Sequence, residues 1–480
     1  MMRRFLLLLG VVFTPLVSAV PSVITGATVY DGTGAAPLTD ATIVVDKGHV
    51  RCMGSDCTVP DTANIVDASG KFITPGLVDA HVHYAASGWI DTRQGSLLAQ
   101  KAYDLSDAQD YLKEHTEKFD HSYLCSGITA VLDTGGFPWT LPLQSSSIKN
   151  PNAPRFFGSG PLITHGASPA SRFVMTHQKY RGTPEFLPMA TDEEARQSVA
   201  RLAQLGSSAV KVWYQPPADD VVDEFDERLK VVGQEAKRLG LKLIVHAPEL
   251  REAKSALKAG AEILVHSVED QLVDEEFLSL AKKNDVVYQP TMGMQKLKAL
   301  AEMEIYHGLP PDFDDPNGCI DERTRVLVQE GYQTFKSYYQ EMSATQFADK
   351  LLARGELLQM AQVNAKRVHE AGITVATSTD AGIPVVFHGP AIYTELEMME
   401  EAGIEPKDII VMSTQNGAKA MGLENELGTL EKGKNADLII LKQDPGHSAS
   451  AFRTITHVMR YGQLRPVTAF AQVSTTDSAE

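Results

Sequence analysis

The stretch KLIVHAPELREAKSALKAGAEILVHSVED, residues 242–270, carries the periodicity on which the fold turns. A short apolar run ends in His246, a segment with apolar residues at helical spacing ends at Gly260, and a second apolar run ends in His266. That order predicts a buried strand, an amphipathic helix stopped by glycine, and another buried strand. Parallel strands need such a crossover between them, so the pattern argues for a parallel sheet. Each strand closes on an imidazole.

The same texture recurs outward from this unit. Eight short apolar runs, GLVDAHVHY, ITAVLDTGG, FFGSGPLIT, AVKVWYQ, KLIVHAPE, EILVHSVED, VVYQPTM and TVATSTDAG, lie between residues 76 and 382. Amphipathic stretches such as DEEARQSVARLAQLG and FDERLKVVGQEAKRLG separate them. The expected class is α/β, a (β/α)8 TIM-like barrel over residues 71–422, with its working groups where strands end and loops begin. The seventh unit is swollen by an insertion around 294–371, with the Pro- and Asp-rich LPPDFDDPNG and long helical segments, over the barrel mouth or at an oligomer contact.

Both ends of the chain read differently. ITGATVY and ATIVVDKGHVRCMG near the start, and GTLEKGKNADLIILKQDP and ITHVMRYGQL near the finish, are short alternating segments broken by Gly, Asp and Pro. They predict a small composite β-sandwich domain made from residues 20–70 plus 423–470.

A chain of 480 residues with 43% hydrophobic and 22% charged residues belongs to the globular class, and the length suits two domains. Its net charge of −17 disfavours nucleic acid and anionic lipid as partners, because both call for clustered Lys and Arg. Residues 1–19, MMRRFLLLLGVVFTPLVSA, have a basic start, an apolar middle and a small-residue end, as a signal peptide does. The apolar part falls short of the ~18 residues of a membrane span and is broken by Pro15. Export to the periplasm or medium is therefore expected, with no membrane attachment after signal removal. Of the four cysteines, Cys52 and Cys57 are placed to close a small loop in an oxidising compartment, whereas Cys125 in its apolar run reads as plain core.

The chemistry lies in the strand-end polar residues. Residues two apart on a strand face the same way, so His81 and His83 point together into the barrel while Val82 packs outward. His246 and His266, at the ends of consecutive strands, would converge on the same mouth. Each imidazole alone could be a hydrogen-bonded core histidine; four at equivalent positions point to a metal site, and neutral imidazole suits zinc. Lys211 inside the apolar SSAVKVWYQ must be paired or modified to offset its buried charge. It either forms an ion pair with an acid such as Asp380 or carries a carbamate that bridges two cations. Asp380 in ATSTDAG can bind a metal and accept a proton from the attacking water, unless it merely caps the following turn. Together these groups predict metal-assisted hydrolysis of a carbonyl compound, with Asp380 as the catalytic proton carrier.

The segments TPGLVDAHVH, SGITAVLDTGG, AVKVWY, IVHAPE, LVHSVED, TSTDAG, NGAKAMGL and LGTLEKGKNADLIIL resemble the amidohydrolase superfamily, in its imidazolonepropionase-like and Xaa-Pro dipeptidase-like branch. The resemblance runs from about Ile24 to Gly462. It implies two divalent metal ions: His81, His83 and Asp380 on the first, His246 and His266 on the second, and N6-carboxylysine at Lys211 bridging them with a hydroxide. The implied substrate is a small amide such as a dipeptide or N-acyl amino acid, and a homo-oligomer is expected. His246-Ala-Pro-Glu249 resembles instead the H-x-x-E of mononuclear deaminases and cyclic-amide hydrolases, which would leave Lys211 idle. An inactive binding homologue is a third reading. His165, Arg172, Tyr214 and His388 are the candidates for substrate contact.

Overall fold

The computed structural model describes residues 20–92, 97–168, 179–216 and 221–473. The proposed leader, residues 1–19, and Arg172 lie outside the described residues. No helix among the described residues is long and apolar enough to cross a membrane.

Each of the eight apolar runs contains a strand. They are β1 (Leu77–Val82), β2 (Ile128–Asp133), β3 (Arg155–Gly158) with β4 (Leu162–Thr164), then β6 (Ala209–Trp213), β7 (Lys242–His246), β8 (Ile263–Val265), β9 (Val287–Gln289) and β10 (Thr374–Val375). The third run is split in two, and a short strand β5 (Phe186–Pro188) adds an edge. β1, β2 and β3 form one parallel arc; β5, β4, β6, β7, β8, β9 and β10 follow one another in a seven-stranded parallel sheet. Backbone bonds link the two arcs at both ends. Ser208 N donates to Gly158 O at 2.9 Å, Ala80 N to Thr377 O at 3.0 Å, and Asp380 N to His81 O at 2.9 Å.

Strand alternation divides the core into two faces. Val210, Val212, Leu243, Val245, Leu264 and Tyr288 pack in the large cluster shared with the surrounding helices. Ala209, Ile244, Ile263, Val265 and Val287 form a smaller inner cluster with Val78, Ala80 and Ala130. A side-chain period of two therefore carries Lys211, Trp213 and His246 onto the inner face, beyond Ala209 and Ile244. The helices between follow the expected amphipathic pattern: α2 (Asp192–Leu205) starts at a Thr191 capping box and stops at Gly206, whose φ of 80° an L side chain would resist.

Strands from both ends of the chain meet in one sheet. Gln463–Pro466, Ile455–Arg460, Leu438–Leu441, Phe72–Pro75, Ser22–Val29, Leu38–Asp46 and His49–Gly54 lie side by side, and Asn64–Asp67 pairs with Ser22–Val29. Phe72–Pro75, on the barrel side of a boundary at residue 71, is bonded within this end sheet.

Both cysteine pairs are disulfides. Cys52–Cys57 closes the short loop that their spacing allows. Cys125 is not plain core: it ends α1 (Glu117–Cys125) and is joined to Cys319, 194 residues away in the insertion. Its apolar neighbours are real, but local apolarity says nothing of a partner brought by tertiary packing. The insertion itself is three helices, α6 (Gly293–Tyr306), α7 (Glu322–Gln340) and α8 (Ala344–Glu370).

Candidate metal centre

A cavity of about 470 Å³ opens where the parallel strands end, and His81, His83, Lys211, His246, His266 and Asp380 all line it. The six residues come from β1 and the residue after it, β6, β7, the residue after β8, and the segment after β10. Ring centroids of His81 and His266 are 5.4 Å apart, and those of His246 and His266 4.6 Å.

His81, His83 and Asp380 form a possible metal site, their ligand atoms all within 4.8 Å of one another. His83 Nδ1 lies 2.7 Å from the carbonyl oxygen of Gly135, which only accepts, so Nδ1 bears the hydrogen. In the neutral ring Nε2 then presents a lone pair. It faces Asp380 Oδ1 at 3.0 Å and His81 Nε2 at 3.3 Å, and the latter is itself 3.3 Å from the same oxygen. Three ligand atoms thus lie within 3.3 Å of one another in a buried site, and this imidazole–carboxylate donor set fits a divalent ion of the zinc type. Burial, then the Lys211 charge, holds His81 well below the ordinary histidine range; burial brings His266 down to about 4 and His246 well down too. Burial alone would raise Asp380, but the imidazoles of His81, His83 and His266 outweigh it and hold the carboxyl well below its usual range.

Three of the residues at this site have left-handed backbone. His266 has φ of 71°, Asp380 61°, and Thr291, whose hydroxyl meets His266 Nδ1 at 2.7 Å, has φ of 50°. Left-handed non-glycine residues cost about 1–3 kcal/mol each and persist where the surroundings hold them. Supporting acids lie beneath. Asp79, pushed up to about 7 by burial, accepts from the Thr379 hydroxyl at 2.6 Å and its amide at 3.0 Å, just before Asp380. Asp133, pushed up to about 6 by burial, accepts from the amides of Tyr84 and Gly135.

The remaining expected residues are placed elsewhere. His388 is buried with both ring nitrogens engaged, Nδ1 with the Tyr123 hydroxyl at 2.6 Å and Nε2 with Ala86 O at 2.8 Å. Tyr214 turns to the outer face, its hydroxyl bonded to Asp226. His165 packs on Phe225, with Nε2 3.4 Å from Glu224. None of the three is among the residues lining the cavity. Glu249 is exposed and precedes α4 (Leu250–Lys258), whereas the acid three residues after His266, Glu269, lines the cavity. Both histidines start an H-x-x-E, so spacing alone could not tell the two acids apart.

Trp213, Glu185, Phe186, Met294 and Lys298 also line the cavity, unforeseen from sequence. Trp213 was within reach, since it lies two residues beyond Lys211 on one strand face. Met294 and Lys298 arrive on an insertion helix whose direction no local pattern gives.

The amidohydrolase family profile matches residues 72–465. Ochratoxinase of Aspergillus niger is 23% identical over 462 residues, covering 89% of this chain and 83% of its own. Imidazolonepropionase of Streptomyces avermitilis is 23% identical over 442 residues, covering 90% of each. Among solved structures, a Xaa-Pro dipeptidase with bound methionine in its active site matches with a TM-score of 0.68 at 20% identity, over 93% of this chain and 100% of that one. At that identity the likeness speaks for the fold, which is TIM-barrel-based. With the profile match spanning most of its length, the chain belongs to the amidohydrolase family, metal-dependent hydrolases that act on carbon–nitrogen bonds.

Proposed function

We propose that this protein is an exported, binuclear amidohydrolase that cleaves a small amide such as a dipeptide or an N-acyl amino acid. Lys211 carries the reading: only 3% exposed, it lines one cavity with four histidines and Asp380. Burial brings its ammonium down to about 7 against the opposing pull of Asp380 and Asp133, so neutral amine is available to add carbon dioxide. In this reading His81, His83 and Asp380 would hold one zinc ion, His246 and His266 would hold the other, and Lys211, as N6-carboxylysine, would serve both. Bound there, the ions supply Lewis acidity toward the amide carbonyl and acidify water. Asp380 takes the proton of the attacking water on a carboxylate oxygen and delivers it to the leaving nitrogen. Asp79 and Asp133 keep the ligand-bearing backbone in place while this happens.

The backbone bonds between the two parallel arcs support a closed (β/α)8 barrel over residues 71–422, and the mixed end sheet supports a composite β domain from 20–70 plus 423–470. The basic-then-apolar start and the two disulfides support export to the periplasm or medium after loss of residues 1–19. Assembly as a homo-oligomer belongs to the same reading. The mononuclear alternative through Glu249 draws less support, since that side chain is exposed.

Metal analysis of the zinc-loaded protein, purified with bicarbonate, should find two ions per chain, and Lys211→Ala should hold fewer and lose activity by a factor of about 100 or more. One ion with full activity in that variant defeats the binuclear reading. Ammonia release from amino-heterocycles, abolished by Glu249→Gln, would move the assignment to the mononuclear class.

A further inference from the structure

Only one side of α8, the last helix of the insertion, is packed against the rest of the chain. Phe347 stacks on Tyr306 of α6, Lys350 and Arg354 reach Glu302, and Ala361, Ala365 and Val368 are buried further along. The other side is not the polar face that a solvent-facing helix normally carries. More than half of the large apolar side chains exposed among the described residues belong to the insertion, and α8 contributes Leu352 at 65%, Val363 at 46% and Leu357 at 38%. Asp349, Leu352, Glu356, Gln359, Val363 and Lys366 recur at alternating steps of three and four, which puts them in one stripe on this outward side. The first five are exposed and Lys366 is half-buried. Such spacing is that of the seam along which two helices pack.

The stripe is self-complementary in one direction only. Laid antiparallel on itself about a two-fold axis between residues 357 and 358, it sets Asp349 against Lys366 of the second copy, Leu352 against Val363 and Glu356 against Gln359. Laid parallel and in register, it would set Asp349, Glu356 and Lys366 each against its own like charge, which is unfavourable. Within one chain Lys366 meets Glu370 at 3.9 Å, an exposed pair of the kind that is worth little and readily exchanged. We infer that α8 is the contact face of a homodimer, packed antiparallel on α8 of a second copy. A pattern in which residue i meets j while j meets i is that of a two-fold interface, which favours a second copy over an unrelated protein. The inference rests on the homo-oligomer reading and gives it a surface and a register. From the packed side of the same helix, Arg354 donates to Gln295 of α6 at 2.8 Å and to Glu302 at 2.7 Å, and α6 also carries Met294 of the cavity wall. The contact would buttress the element that walls one side of the cavity.

Sedimentation velocity on the full chain, over a range of concentrations, measures the assembly without recourse to turnover. Wild type should sediment as a dimer or an even-numbered multiple of it. Asp349→Lys and Lys366→Asp should each weaken the dimer contact by about tenfold or more with an unchanged circular dichroism spectrum, and the two together should restore it. Register is read separately. With Leu352→Cys and Val363→Cys in one chain, the new thiols lie about 16 Å apart along the helix, too far to bridge within it. Mild oxidation should therefore join two chains and double the mass on a non-reducing gel. A monomeric wild type overturns the oligomer reading and this face together. An oligomer that neither charge swap disturbs, a double swap no better than the single ones, or no cross-linked dimer overturns the face and leaves assembly to another surface.

Discussion

Asp133 accepts the amide hydrogen of Gly135 at 3.0 Å, and the Gly135 carbonyl in turn receives the Nδ1–H of His83 at 2.7 Å. The carboxylate thus holds the glycine whose carbonyl fixes the tautomer and ring direction of the metal-capable imidazole. Partners of this kind are typically worth 10–100-fold in metal affinity. Asp133→Asn should therefore lose zinc affinity by about that factor in chelator competition, with an unchanged circular dichroism spectrum. Wild-type affinity in this variant would show that His83 is oriented by packing alone.

At Asp380 burial and the neighbouring imidazoles pull in opposite directions, and the imidazoles prevail. Its replacement by Asn keeps the shape and one acceptor but cannot take up a proton. Asp380→Asn should depress kcat by a factor of about 100–10,000 at matched metal content, with a smaller change in KM. A kcat within a few-fold of wild type would assign the proton transfer to another group.

The ligand-bearing strands were legible because the chemistry there is local. A strand's period of two and the ban on unpaired buried charge are enough to bring out His81, His83 and Lys211 from the sequence. His165, Tyr214 and His388 lie in loops and strand ends where a one-residue turn decides between cavity and core, and His388 is spent on Tyr123 and Ala86. Glu269 was hidden behind an identical spacing at Glu249. Lys298 and the Cys125–Cys319 link depend on how the insertion folds back over the strand ends, which is set by contacts such as Arg354 with Glu302 and Asn317 with Tyr393. Sequence periodicity carries the direction of a strand or helix face, not the return path of a long excursion.

The Cys125–Cys319 disulfide ties α1 to the insertion across 194 residues. A cross-link over so long a loop removes much freedom from the unfolded chain. Replacing both cysteines with serine should lower stability in denaturant titrations by about 2–5 kcal/mol. Should the midpoint be unaffected, the insertion is held by its packing and ion pairs alone.

Glu395 is fully buried, accepts the amide hydrogen of Gly293 at the start of α6, and is pushed up to about 8 by burial. In the unfolded chain the same carboxyl titrates near 4.5. Between those values the folded state holds a proton that the unfolded state has released, so stability falls as pH rises from about 4.5 to about 8. Its slope from this one group is at most about 1.4 kcal/mol per pH unit. The sign is opposite to that of a salt-bridged carboxylate, whose stabilisation is lost as pH falls. Glu395→Gln keeps an acceptor for Gly293 and removes the titration, so its stability should decline less steeply than wild type over that window. Chemical denaturation at several pH values between 5 and 8 measures the difference, and parallel curves for the two proteins would mean that Glu395 is ionised in the folded chain.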